Sequence, residues 1–344
     1  MKKLTSLLLV MVMLFGLAAC GAEEPKITDT QDTVTVTEEV VADKTPVRLM
    51  ALQGPTGMGL ASLLHNDNAG SGNKADYTAE IVTSAEISNI AAAITKGECD
   101  IAAVPINLAS TLFNKTEGKV QVLCANTFGV LHILENGDSV KSISDLKGKT
   151  IYATGQGSTP EYILRHVLKE NNIDPDKDVT LSFVGDHTEL ASYLAADEYT
   201  IGMLPEPNVS AVLSANQNFR AALDMTEEWN KVTDGKAPLI QGVFIARKAF
   251  VDEHPAVVNA FLDDYNASQT TVNANPEQGA KYIVECGIFA KEAVAKIAIP
   301  GCNITFLEGD KMKSGVETCL QVLFDAAPAS VGGKLPTEGF YYSR

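Results

Sequence analysis

The sequence predicts an α/β chain of two similar lobes, each a mostly parallel sheet flanked by helices. Two observations carry this. Short apolar runs alternate with amphipathic helical patterns from residue 46 onward, the signature of strands covered by helices on both faces. The pattern then restarts near residue 150, and the two halves resemble each other at an offset of 100. Ile94 to Pro105 and Leu194 to Pro205 each read as a helix end, a polar turn, an apolar strand and a closing proline, with Asn107 and Asn208 following.

The elements follow in order. Val47 to Leu52 reads as a buried strand, broken by the Gly54-Pro55-Thr56-Gly57-Met58-Gly59 turn, and a helix starts at Leu60. Tyr77 to Val82 is a second strand. Thr83-Ser84-Ala85-Glu86 fits a capping box, with Ile87, Ile90, Ala91 and Ile94 at helical spacing behind it. Asp100 to Val104 is a third strand, stopped by Pro105, and Asn107 is expected to cap the next helix. Val120 to Leu123 is a fourth. In the second half, Thr150 to Ala153 is a strand and Gly155-Gln156-Gly157 a turn. Ser158-Thr159-Pro160-Glu161 opens a helix with a capping box and an early proline. Val179 to Val184, Tyr199 to Leu204 and Gly242 to Ala246 are further strands, the last returning to the first lobe. Helices are predicted over Pro255 to Tyr265, Pro276 to Glu285, Lys291 to Ile297 and Asp310 to Phe324.

Composition narrows the function. Of 344 residues, 27 are Lys or Arg and 43 Asp or Glu, a net charge of −16. That argues against a nucleic-acid partner, which needs a basic face, and against a polybasic membrane surface. Lys2 and Lys3 ahead of the apolar run Leu7 to Phe15 form a signal peptide over residues 1–19, so export is expected. Leu17-Ala18-Ala19-Cys20 resembles a bacterial lipobox. The resemblance implies cleavage before Cys20 and a diacylglycerol on its thiol, holding the chain at the outer face of the cytoplasmic membrane. Gly21 to Thr45 hold seven acids and six threonines, an acidic linker over residues 20–45.

Five more cysteines occur, at 99, 124, 286, 302 and 319, without Cys-x-x-Cys or zinc spacing. Cys286 and Cys302 flank a compact helical stretch, and a disulfide between them is expected in an oxidising space; the alternative is that all five are buried small hydrophobes. The five histidines are scattered, no Gly-x-Ser-x-Gly occurs, and Gly155 to Thr159 lacks the ending of a nucleotide P-loop. No cofactor and no metal are expected. Trp229 is read as core or hinge packing, with ligand stacking the alternative.

The whole pattern resembles the solute-binding component of an ABC importer. Gly97-Glu98-Cys99-Asp100-Ile101-Ala102, Asp145-Leu146-Lys147-Gly148-Lys149-Thr150-Ile151 and the strand end Pro205-Glu206-Pro207 look like nitrate/sulfonate/taurine-type binding proteins. Residues 332–342 resemble a tail of a subgroup. The family implies a type II periplasmic-binding-protein fold, its lobes joined by two crossover strands near 126–131 and 238–242. Residues 46–130 with 238–344 then form lobe 1, and 131–237 lobe 2. It also implies a monomer serving a permease and its ATPase. A ligand-sensing lipoprotein for a signalling receptor is the alternative, and a pyrimidine-precursor-synthase-like enzyme a weaker one, because that family's Cys/His-rich iron motif is missing.

In open α/β sheets ligands sit beyond the carboxyl ends of strands, where helix N-termini offer free N–H groups. The expected ligand contacts are therefore Gly54, Pro55, Thr56, Gly57 and Met58; Thr83 and Ser84; Pro105 and Asn107; Asn126 and Thr127; Gly155, Gln156, Gly157, Ser158 and Thr159; and Glu206, a hydrogen-bond acceptor for a ligand N–H. Without arginine in these turns, a small organic mono-anion or a nitrogen heterocycle fits better than a doubly charged anion.

Overall fold

A computed structural model describes residues 44–65 and 75–344. The signal segment, Cys20 and nearly all of the acidic linker lie outside the described residues.

Two sheets organise the chain. The first is built from β1 (Thr45–Leu52), β2 (Ala75–Val82), β3 (Ile101–Pro105), β4 (Val120–Thr127), β10 (Gly242–Arg247) and β11 (Ile304–Leu307), in the order β11-β4-β10-β3-β1-β2. The second is built from β5 (Leu131–Asn136), β6 (Thr150–Ala153), β7 (Thr180–Phe183), β8 (Ile201–Pro205) and β9 (Phe219–Asp224), in the order β7-β6-β8-β5-β9. Apart from β11 the two orders are one plan. In each, β1 or β6 pairs in parallel with two neighbours. In each, the strand that has just crossed from the other lobe enters the middle, antiparallel to both neighbours. The weak repeat at offset 100 is thus a repeat of topology, with β3 and β8 as equivalent strands.

The chain passes between lobes twice, from Thr127 to Leu131 and from Val232 to Gly242. Helices cover both sheets. α1 (Pro55–Met58), α2 (Ala61–His65), α3 (Ile87–Lys96), α4 (Ile106–Lys115), α9 (Lys248–Glu253), α10 (Pro255–Ala274), α11 (Pro276–Glu285), α12 (Glu292–Ala298) and α13 (Gly309–Ala326) belong with the first. α5 (Thr159–Glu170), α6 (His187–Ala195), α7 (Asn208–Ala215) and α8 (Met225–Val232) belong with the second. The central strands β3 and β8 are short apolar runs buried at every position, while β2, β7 and β9 are partly exposed.

Trp229 is fully buried on α8, donating Nε1–H to the Ala237 carbonyl at 2.7 Å and leaning on His166. It is core, not a ligand platform. The tail also has a packing role: Phe340 is buried against Phe113, Tyr342 N–H bonds the Val122 carbonyl, and Arg344 pairs with Asp263 and Glu308.

The expected Cys286–Cys302 bridge does not form, and all five described cysteines are free thiols. Cys302 is buried in the apolar cluster of α11 and α12. Cys286 sits at the edge of that cluster, its Sγ directed at the Ala61 carbonyl. Both thiols pack into the same apolar cluster as small hydrophobes without joining.

Candidate functional site

A cavity of about 130 Å³ lies between the lobes, at the carboxyl ends of both sheets. Its wall is made where chain segments turn from strand to helix. The first lobe contributes the start of α1, Ser84, Pro105 at the start of α4, and Thr127. The second contributes Gly155, Gln156, Ser158 and Thr159 at the start of α5, Asp186 to Thr188 at the start of α6, and Glu206 and Asn208 at the start of α7. Helices ending here direct free N–H groups and the positive ends of their dipoles inward. Among the described residues no lysine or arginine lines the cavity.

Of the seventeen residues expected at the ligand, eleven line this cavity: Gly54, Pro55, Thr56, Ser84, Pro105, Thr127, Gly155, Gln156, Ser158, Thr159 and Glu206. The other six do not line it. Met58 is fully buried in the cluster of α11 and α12. A Cβ on Gly57 would come within 2.4 Å of the Leu52 carbonyl oxygen, so this glycine serves packing rather than ligand approach. Thr83 forms the expected box, its N–H donating to Glu86 Oε2 at 3.0 Å. Asn126 is buried, donating Nδ2–H to the Thr56 carbonyl and so steadying the α1 turn from below.

Asn107 does not cap α4. It lies inside the first turn and reaches across to the second lobe, accepting from Thr159 Oγ1 at 2.8 Å and donating to the Gly157 carbonyl at 3.3 Å. The box expected at Ser158 is also absent. Glu161 instead accepts from Gly157 N–H at 2.7 Å, and the Ser158 side chain makes no capping bond. Gly155 and Gly157 have φ of 73° and 74°, a left-handed region that glycine enters without strain.

Two acids and a histidine set the electrostatics. Glu206 is 8% exposed and accepts from Ser210 N–H and Oγ–H, each at 3.0 Å. Burial raises its pKa, and the Ser210 bonds offset this only in part. Asp186 caps α6 by accepting from Thr188 N–H at 2.7 Å, and Ser84 Oγ of the other lobe approaches it at 3.4 Å. His187 meets Thr154 Oγ1 through Nδ1, and burial pushes its pKa down to about 4, so it is neutral at pH 7.

Asn208, which follows the second strand-ending proline in the sequence repeat, lines the cavity too, and so do Asp186, His187, Thr188, Gln241 and Phe289, which were not singled out by sequence. Asp186 carried a readable signal, an Asp before a helical run. Gln241 and Phe289 carried none: one comes from the second crossing, where its Oε1 accepts from Val130 N–H, and the other from the loop between α11 and α12.

Among the described residues no group of histidine, cysteine, aspartate and glutamate is placed to hold a metal ion, and no helix is long and apolar enough to cross a membrane.

The comparisons agree with this architecture. The fold matches an ABC transporter protein from Parabacteroides distasonis at a TM-score of 0.72 and 25% identity, over 88% of this chain and 100% of that one. It matches the periplasmic aliphatic sulphonate-binding protein SsuA of Escherichia coli at 0.66 and 12% identity, over 87% of this chain and 92% of that one. The periplasmic nitrate-binding protein NrtA of Synechocystis matches at 0.57 and 14%, over 84% of each chain. No curated protein matches by sequence. Residues 72–280 match the family described as "ABC transporter, phosphonate, periplasmic substrate-binding protein". That match spans more than half of the chain, and the protein belongs to this phosphonate-type family of periplasmic substrate-binding proteins of ABC transporters.

Proposed function

We propose that this protein is the lipid-anchored capture component of an ABC importer, closing its two lobes on a small polar solute and presenting it to a permease. The observation that carries the reading is the enclosed cavity walled by helix starts from both lobes. Neither lobe alone supplies enough donors to replace the solute's water, so binding favours the closed state. Residues 46–130 with 238–344 are taken as one moving body and 131–237 as the other.

The wall chemistry narrows the cargo. At about 130 Å³ the cavity is smaller than the ~300–1,000 Å³ typical of drug-sized ligands, so the enclosed group has few heavy atoms. With N–H donors from α4 to α7 and no lysine or arginine, one negative charge is better matched than two. Glu206 offers an acceptor to a cargo N–H. An organic mono-anion or a polar nitrogen heterocycle meets these terms. The lipobox sequence at Cys20 supports attachment at the outer face of the cytoplasmic membrane.

Mass spectrometry of the solute released by denaturing freshly purified protein tests the cargo. A small polar molecule that returns unchanged and raises the melting temperature on re-addition is expected. A product chemically altered by the protein defeats the capture reading. Fatty-acid labelling that persists in Cys20→Ser defeats the anchor.

A further inference from the structure

The end of the first lobe away from the cleft carries a charge that the composition hides. The ends of α3 and α4, the start of β4 and the junction of β10 with α9 enclose a groove of about 650 Å³. Lys96, Lys115, Lys119, Arg247 and Lys248 line it, against only Glu117 and Asp252. This local excess of three positive charges sits on a chain whose net charge is −16.

Helix electrostatics account for part of the cluster. Lys96 and Lys115 end α3 and α4, where the dipole favours a cation. Lys119 lies in the turn before β4, and Lys248 opens α9, where the dipole disfavours one. Lys248 is held by Asp252 at 2.6 Å and Arg247 by Asp100. Among the described residues no carboxylate pairs with Lys96, Lys115 or Lys119, so their charge faces outward.

The N-terminal segment enters the fold at the same edge. β1 runs parallel to β3 with Leu49 opposite Ile101, and β10 runs antiparallel with Ala246 opposite Ile101. Arg48, Asp100 and Arg247 therefore share one level, where Asp100 accepts from Arg48 Nε at 2.8 Å. Thr45 projects three residues further, about 10 Å beyond them. The cleft lies at the opposite, carboxyl ends of β1 and β3.

We propose that this groove docks on anionic phospholipid headgroups, setting the amino end of the first sheet against the bilayer. The inference rests on the Cys20 anchor proposed above. The acyl chains supply attachment and the groove supplies orientation. Each lysine near an anionic surface strengthens the contact about fivefold, an effect that fades within a Debye length of about 8 Å. Such a contact is weak in free solution. The 24 residues from Gly21 to Lys44 span at most about 85 Å, which keeps the groove at high local concentration near the membrane. The rest of the acidic surface is repelled by the same bilayer, so this face is the one that can approach. Docked this way, the protein turns its cleft toward arriving solute, and the contact must break before cargo reaches a permease.

The test is vesicle flotation of the full chain carrying Cys20→Ser, so that no acyl chain contributes. Vesicles are phosphatidylcholine alone or phosphatidylcholine with phosphatidylglycerol; the signal segment, with Lys2 and Lys3, is common to parent and variants, so the difference between them on anionic vesicles isolates the groove. Binding only to the anionic vesicles, lost at high salt, is expected. Lys115→Glu with Lys119→Glu should lower it at least ~10-fold at an unchanged melting temperature, and the Gln pair should fall between. Equal binding to both vesicles, or a double variant that binds like the parent, overturns the proposal. So does a melting shift with inorganic phosphate that needs these lysines while vesicles stay unbound, since the groove then takes a soluble anion. These outcomes leave the anchor untouched: it stands or falls on fatty-acid labelling of Cys20.

Discussion

Thr159 Oγ1 donates to Asn107 Oδ1 at 2.8 Å, joining the first turn of α5 to the first turn of α4 across the cleft. The bond spans the two lobes, so the opening proposed above would break it. A buried bond of this kind contributes about 1 kcal/mol, close to a fivefold change in the ratio of closed to open molecules. Thr159→Val should shift paired spectroscopic labels, one on each lobe, toward the open distance, while the melting temperature stays nearly constant. An unchanged label distance would show that closure is held elsewhere.

Glu206 links pH to stability with a definite sign. Its folded pKa is raised, so the folded state prefers the neutral acid. The stability gained is complete below the ordinary carboxylate range and is lost as pH rises through the raised value. Glu206→Gln keeps the neutral shape at every pH. Its melting temperature should exceed that of the parent more at neutral than at acidic pH. Cargo affinity should fall if the cargo donates an N–H. A constant gap across pH would contradict the burial argument.

Gly57 is a packing glycine. Because its added Cβ would strike the Leu52 carbonyl, Gly57→Ala should cost roughly 1–3 kcal/mol by denaturant unfolding. Wild-type stability would place the α1 turn elsewhere.

The thiols give a direct check on the absent bridge. Denatured, unreduced Cys20→Ser protein should show five free thiols, not three. In the folded protein Cys286 should react first, since the other four are buried. Burial, with Glu285 adding, raises its pKa, so its labelling should quicken as pH rises. Pre-labelling that matches Cys302 instead would reverse the burial order.

The alternation of strand and helix was legible because β1, β3, β6 and β8 are apolar runs closed by glycine or proline, and β10 is one opened by Gly242. β5, β9 and β11 were not. Leu131–Asn136 and Phe219–Asp224 mix charged and apolar residues, and only their neighbours across the sheet make them strands. At the site, turns marked by glycine, proline or a cap could be found locally, as with Gly54, Pro105 and Gly155. What lies opposite a turn could not. Asn107 read as a cap because an Asn after a strand-ending proline usually is one, and its true partners come from residues fifty positions away. Gln241 and Phe289 reach the cavity only through the tertiary fold.

The strand exchange has a consequence for biogenesis. β3 and β4 are made early, yet the strand that belongs between them ends at Arg247. Until some two-thirds of the chain has emerged from the ribosome, the first sheet has a gap at its centre and its apolar faces cannot close. The second sheet, complete at Asp224, can close first, so the chain's own connectivity makes the first lobe the later of the two to reach its native structure.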